Sequence, residues 1–370
     1  MSNGSNVSKL YEVSINQCVN LMLANRGRTT LVQGHMGSGK SSILKMLGER
    51  LPTHTTVYFD CTTKDLGDMA LPVLQHVDRD GCVRFIPHEE LGIHLGKPVI
   101  VMIDEFGKAN NSVKNALLRF MLEREFAGYK LHPDSIIFAT TNLGAEGVGD
   151  LLPPHARNRM TIFRMRNSTT EEWVENFAIP QGIDPVMIAF VLDDRYKKDL
   201  AAKFDEVDDP KTNEYIYHPK DKGREAFFTW RSCHAASDWL KVRSELSTHE
   251  LTSALIGTIG NKAAAELAAF VAVGDQLPSL DSIKKSPLTA DVPTAPVACS
   301  MVVYRTLSCI ERNWMDSWMD YLARLPRELQ VMFAMQVRKN NYAKRDEVMS
   351  NAKFTKWCLD NNFIAVTDKK

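Results

Sequence analysis

The chain has 370 residues, more than one ordinary hydrophobic core serves, so two or three domains are expected. Apolar residues make up 44% and charged residues 24%, a balance that excludes an intrinsically disordered chain. Lys plus Arg and Asp plus Glu stand at 45 each; a formal charge near zero argues against an obligate, salt-driven nucleic-acid coat, though not against a local basic patch.

In chain order, Met1–Lys9 is polar and carries no apolar signal core. Strand candidates follow at Thr30–Gln33, Thr56–Asp60, Val99–Ile103, Ile136–Thr140 and Met160–Arg164, most of them short, rich in Val, Ile or Phe, and bounded by turn residues. Between them lie helical patterns such as Ser41–Glu49 and Ser112–Glu125, with apolar residues at three- and four-residue spacing. This alternation predicts βαβ units and a parallel sheet over 1–168. After Ser168 the strands fade. Thr170–Phe177, Pro185–Leu192, Ala235–Glu245, His249–Ile259 and Ala263–Val273 read as helices of a second domain, 169–277, interrupted by the polar loop Lys203–Arg224. A proline-rich linker, 278–297, leads to a C-terminal α-helical module, 298–370, whose helical segment Ala298–Phe363 carries Trp314, Trp318 and Trp357.

The run Gly34-His35-Met36-Gly37-Ser38-Gly39-Lys40-Ser41 fits Gly-x4-Gly-Lys-(Ser or Thr), after an apolar strand and at the start of a helix that continues through Ser42. Glycines let backbone N–H groups turn inward around a phosphate chain, and the helix N-terminus adds its dipole. Lys40 is expected at the β- and γ-phosphates of ATP, and the Ser41 hydroxyl on Mg2+. Pro98-Val-Ile-Val-Met-Ile-Asp104-Glu105 is an apolar run ending in two carboxylates, which a buried strand has no stability reason to carry. Beside a phosphate loop, Asp104 can orient Mg2+ through its water and Glu105 can act as general base.

The next strand ends in Thr140-Thr141-Asn142, where an amide between the two preceding elements could hold the attacking water. Leu152-Pro-Pro-His-Ala-Arg157-Asn-Arg159-Met leads into the last strand. In a ring, an arginine here faces the neighbouring subunit's γ-phosphate; Arg159 is the first choice and Arg157 the second. Thr229-Trp230-Arg231-Ser232 opens a helix, and an arginine at a helix start gains nothing from the macrodipole, which makes Arg231 a candidate for reaching nucleotide in cis.

Seven cysteines (Cys18, Cys61, Cys82, Cys233, Cys299, Cys309, Cys358) are spread singly with no CxxC pair, suggesting neither zinc nor a disulfide framework. His54, His76, His88 and His94 lack metal-ligand spacing, and Leu117, Leu118 and Met121 form an apolar stripe that reads as core. No stretch approaches the roughly 18 apolar residues a spanning helix requires, so a cytoplasmic protein without membrane contact is expected.

These residues resemble the AAA+ superfamily and, within it, the MoxR-like branch. Ile103-Asp104-Glu105-Phe106-Gly107-Lys108-Ala109, followed by Val113-Lys-Asn-Ala116-Leu117-Leu118-Arg-Phe-Met121-Leu-Glu123-Arg124, is similar to that branch's Walker B strand and the helix after it. Phe138–Asn142 is similar to its sensor 1, and Thr229-Trp230-Arg231 to its sensor 2. Asn158-Arg159-Met160 departs from the usual Asp-Arg-Phe at the trans-arginine position, which leaves Arg157 in play. The resemblance covers about residues 10–275. It implies an αβα core, an all-α lid, a hexamer, and chaperone-like remodelling of a protein client, often with a von Willebrand factor A-domain partner.

Three uses of ATP compete. A protein-remodelling ATPase is favoured by the helix after Asp104-Glu105 and by the balanced charge. A nucleic-acid-dependent ATPase, such as a loader or a filament-forming DNA protein, draws only on Arg338-Lys339-Asn-Asn-Tyr342-Ala-Lys344-Arg345, a basic run with an interleaved aromatic that reads more readily as a solvated helix end. A nucleotide-binding scaffold without turnover has no need for Glu105 or Asn142.

Overall fold

A strand apolar at every position suits a parallel sheet covered on both faces. The computed structural model, which describes residues 12–73, 83–142, 154–221, 223–340 and 342–361, shows such a sheet. Met1–Lys9, His76, Cys82, Leu152-Pro153 and Phe363 lie outside the described residues. The strands are β1 (Glu12–Val13), β2 (Thr30–Gly34), β3 (Thr55–Asp60), β4 (Val99–Asp104), β5 (Ile136–Asn142) and β6 (Thr161–Met165). All pair in parallel, in the order β1-β6-β2-β5-β4-β3. The five expected strands are therefore present, with ends shifted by at most two residues.

Side chains alternate across the sheet. Val99, Val101 and Ile103 of β4 face one side, where Ile137, Ala139 and the helix α3 (Asn111–Glu123) supply Val113, Leu117, Phe120 and Met121. Ile100 and Met102 face the other, against Cys18, Val19 and Met22 of α1 (Ile15–Ala24) and Ile43 and Leu47 of α2 (Ser42–Arg50). The core is thus a three-layer αβα sandwich. Its helices start where their sequences allow: Ser14 and Gln17 form a reciprocal capping box for α1, and the Asn110 side chain accepts from Val113 N at the head of α3. The expected helix through Glu125 stops at Glu123 because Arg124 turns left-handed (φ 54°). The guanidinium of Arg124 donates to the carbonyls of Gly27, Pro133 and Ser135, tying the helix end to the foot of the sheet.

Two short antiparallel ribbons, Ala70–Val73 with Arg84–Pro87 and Glu125–Phe126 with Tyr129–Lys130, were not expected from the sequence, nor were α1 and the edge strand β1.

Contacts divide the chain into Met1–Ser168 and Thr169–Lys370. In the second unit one buried cluster runs from Trp173 to Phe354. It draws on Pro185–Leu192, Trp230–Lys241, Thr248–Ile259, Asn261–Gly274, Pro296–Cys309, Met315–Leu322, Arg327–Arg338 and Ala352–Asp360. The proline-rich stretch carries a helix, Leu280–Lys285, and contributes Ile283 and Ala290 to that cluster. The expected helix Thr170–Phe177 is α-helical to Trp173 and continues as a π-turn, Val174–Ala178. The polar loop is organised by Arg224, whose guanidinium donates to the carbonyls of Pro210, Asn213 and Ile216 and to the Asp221 carboxylate. No helix among the described residues is long and apolar enough to cross a membrane.

Candidate nucleotide-binding and catalytic site

The loop between β2 and α2 begins at Gly34, where an added Cβ would come within 3.2 Å of Met165 O and of Ser38 Oγ. Gly37 and Gly39 hold φ of 73° and 89°, conformations that side chains resist. Lys40 is buried and its Nζ donates to Gly34 O (3.0 Å), His35 O (2.8 Å) and Asn142 Oδ1 (2.8 Å). His35 and Ser38 are buried, whereas Met36 is exposed. Ser41 precedes α2 without spending its side chain on a capping bond, and Ser42 is the first residue of the helix.

β5 lies between β2 and β4, and this inserted strand decides the geometry. Asn142, at its end, pairs with Gly34 of β2, while Ala139 pairs with Ile103 just before Asp104. Asn142 Nδ2 donates to both oxygens of Glu105 at 3.2 Å. Lys40, Asn142 and Glu105 therefore form one hydrogen-bonded line along the C-terminal edge of the sheet. Asp104 accepts from Thr140 Oγ1 on one oxygen and from Tyr58 OH, at 2.9 Å, on the other. Glu105 is left-handed (φ 51°), its N–H donates to Thr140 Oγ1 at 3.3 Å, and its carboxylate pairs with Lys108 at 3.2 Å.

Asp60, Asp104 and Glu105 gather acidic charge around Tyr58 and Cys61. Burial and then the hydrogen bond to Asp104 raise the Tyr58 hydroxyl pKa, with Asp104, Asp60 and Glu105 adding to the effect. Burial, reinforced by the same three carboxylates, pushes the Cys61 thiol up to about 12. A cation is the natural complement, and the available oxygens suit a hard one. Among the described residues no cluster of three His, Cys, Asp or Glu could cage a metal, a condition compatible with Mg2+ held largely by phosphate and water. Ser38 Oγ, buried without a hydrogen-bond partner among the described residues, is a polar atom a phosphate would satisfy. The residues present fit both ATP and Mg2+.

No family model matches the chain, and no curated protein matches it. Among solved structures it is similar to the Thermotoga maritima RuvB Holliday junction branch migration motor, at 15% identity over 74% of this chain and 75% of that one, TM-score 0.36. A mutant of that motor gives 15% identity over 80% and 81%, TM-score 0.36, and NtrX from Brucella abortus gives 12% over 87% and 67%, TM-score 0.37. At such values the functional reading rests on the site itself.

Arg157 ends the four-residue helix Pro154–Arg157 and is exposed. Arg159 is exposed and pairs with Glu123 at 3.3 Å, an ion pair of two half-exposed side chains that is readily exchanged. Arg231 is exposed in the first turn of Trp230–Lys241, a helix opened by the reciprocal capping of Thr229 and Ser232. In the basic run near the C-terminus, Tyr342 is buried and its hydroxyl donates to Leu307 O, while Lys339 pairs with Glu175. The run therefore offers no aromatic face for a base. Sequence reasoning missed Tyr58, Thr140 as a ligand-orienting hydroxyl, and Lys108 as a partner of Glu105. The last had a signal, its i,i+3 spacing from Glu105, whereas Tyr58 lies 46 residues from Asp104 and had none.

Proposed function

We propose that this chain is a P-loop ATPase of the AAA+ kind, in the MoxR-like branch, which couples hydrolysis of Mg-ATP in an oligomeric ring to the remodelling or assembly of a protein client. The observation that carries this reading is the continuous Lys40–Asn142–Glu105 line, which brings a phosphate-seeking ammonium, a water-orienting amide and a base to one sheet edge. The Gly34–Ser42 backbone wraps the phosphates, and Lys40 exchanges its carbonyl partners for phosphate oxygens. Mg2+, held through Ser41 and Asp104, supplies neutralisation of the phosphate charge. Glu105 accepts the proton of the attacking water, which Asn142 orients toward the γ-phosphate.

Arg159, or Arg157 in its place, acts on the neighbouring subunit's γ-phosphate, and Arg231 reaches nucleotide in cis. An exposed arginine in a weak pair supports the trans role, since little is lost when it changes partner. The ring is a hexamer and its client a protein, with a von Willebrand factor A-domain partner as the first candidate; the compartment is the cytoplasm. A nucleic-acid-dependent ATPase, a loader or DNA-binding filament protein, is the second reading, weakened by the burial of Tyr342.

Steady-state ATP hydrolysis against protein concentration, with and without single- and double-stranded DNA, tests the reading. A rate per subunit that climbs with concentration and ignores DNA supports it. A rate that appears only with DNA promotes the second reading.

A further inference from the structure

We infer that Tyr58 is a positioning residue for the metal-orienting carboxylate Asp104, an inference that rests on the ATPase reading above. Asp104 closes β4, and hydroxyls from the strands on both sides of β4 engage its two oxygens. Thr140 Oγ1, from β5, takes Oδ1, and Tyr58 OH, from β3, takes Oδ2 at 2.9 Å. The parallel register explains the reach: Asp60 stands opposite Asp104, and Tyr58, two residues earlier, lies on the same face of β3 as Asp60. Only a long side chain with a terminal donor spans that diagonal.

A carboxylate can rotate about its Cβ–Cγ bond, and a donor on each oxygen stops that rotation. Each oxygen keeps a further lone pair for a metal-bound water, so the two hydroxyls orient Asp104 without consuming it. Outer-shell donors of this kind commonly change metal affinity by about 10- to 100-fold when removed. The two hydroxyls differ in what else they do. Thr140 is fully buried and also accepts from Glu105 N, so its loss disturbs metal and base together. Tyr58 is 47% exposed, and its hydroxyl donates to Asp104 Oδ2. Its removal isolates the orientation of Asp104.

The test is equilibrium binding of a non-hydrolysable ATP analogue to the full chain, titrated with Mg2+, for wild type, Tyr58→Phe and Tyr58→Ala. Tyr58→Phe keeps the ring and removes only the donor. The Mg2+ midpoint is expected to rise about 10-fold, the lower end of the outer-shell range because Tyr58 is partly solvated. Binding without divalent cation should match wild type. A Tyr58→Phe midpoint within twofold of wild type overturns the inference alone, and so does a shift confined to Tyr58→Ala, which would assign the effect to the ring. Wild type showing no Mg2+-dependent binding overturns the ATPase reading and this inference with it.

Discussion

The amide of Asn142 accepts from Lys40 Nζ at 2.8 Å and donates to both carboxylate oxygens of Glu105 at 3.2 Å. One side chain thus bridges Lys40 and Glu105. On the proposed ATPase reading, a γ-phosphate that draws Lys40 away would free Oδ1 for the attacking water while Nδ2 still steadied Glu105. Both faces of the amide are needed, an acceptor on one side and a donor on the other.

Asn142→Asp keeps the shape and removes the donor. It also sets two carboxylates against each other where one amide–carboxylate bond stood, and like charges at that range repel. Turnover is expected to fall by about 10²- to 10³-fold, the range for losing one oriented donor in a catalytic site. Affinity for an ATP analogue should change much less. Single-turnover hydrolysis beside analogue binding separates the two, and equal loss in both would move Asn142 from catalysis to phosphate binding.

Lys108 holds Glu105 from the other side, at 3.2 Å and three residues on. A carboxylate engaged by an ammonium and an amide is poorly placed to take a proton from water, so this contact restrains the base. Lys108→Met should raise basal turnover several-fold. The pair is partly exposed, so stability should shift by about 0.5 kcal/mol or less. Basal kcat and a thermal melt check both. A slower variant would instead make Lys108 part of the active arrangement.

Much of this was legible in the sequence. The phosphate loop, the Asp104-Glu105 strand end and Asn142 announce themselves because each is a local pattern: a glycine spacing, or a polar residue closing an apolar run. The strands β2, β4 and β5 were legible for the same reason, since burial on both faces leaves a short continuous apolar signature, whereas β3 and β6, with partly exposed positions, were legible from their β-branched and aromatic residues. What stayed hidden depends on register. Tyr58 meets Asp104 only because β3 pairs with β4 in parallel with Asp60 opposite Asp104, and no local pattern encodes that pairing. The edge strand Glu12–Val13 is two residues long, too short for any periodicity. Tyr342 lay in a basic run weighed as a nucleic-acid surface but read more readily as a solvated helix end, and its hydroxyl donates to Leu307 O in the interior, a contact no local pattern encodes.

Glu105 occupies a left-handed backbone conformation at φ 51°, which costs a residue with a Cβ about 1–2 kcal/mol. Glu105→Gln keeps that cost and removes the base, so it should hold ATP without turnover. Glu105→Gly removes both. It should be equally inactive yet melt higher than Glu105→Gln, by an amount of up to about 1 kcal/mol after the glycine's own entropy is counted. Brisk hydrolysis by Glu105→Gln would remove Glu105 from the role of base.

Stability at alkaline pH follows from the buried thiols. Burial raises Cys18 from 9.0 to about 12, and burial with nearby carboxylates raises Cys61 to about 12. A folded-state pKa above the unfolded one means that the native chain retains protons the unfolded chain gives up. The stabilising contribution is complete below about pH 9 and is lost as pH climbs toward 12. Each thiol adds a slope of at most about 1.4 kcal/mol per pH unit across that window. Urea midpoints at pH 8, 9.5 and 11 should therefore fall progressively. The double variant Cys18→Ala, Cys61→Ala should start lower and fall less steeply; parallel slopes would mean these thiols ionise normally in the folded chain.

The trans arginine can be tested by complementation. Lys40→Ala spoils a subunit's own phosphate site but leaves its Arg159 intact, whereas Arg159→Ala does the reverse. Each variant alone should lose about 10³-fold or more of its turnover. In a mixed ring, an Arg159→Ala subunit placed beside a Lys40→Ala subunit has a sound phosphate loop and receives a sound arginine, so activity should reappear. At equal proportions about a quarter of the interfaces pair the right way by chance, which sets the expected recovery near that fraction of wild type. An Arg159→Ala variant that stays inactive in the mixture means the arginine serves its own subunit; full activity of that variant alone moves the assignment to Arg157. Glu123→Ala is the control, because it frees Arg159 from its exposed partner without touching either site, and it should hydrolyse at the wild-type rate or slightly above.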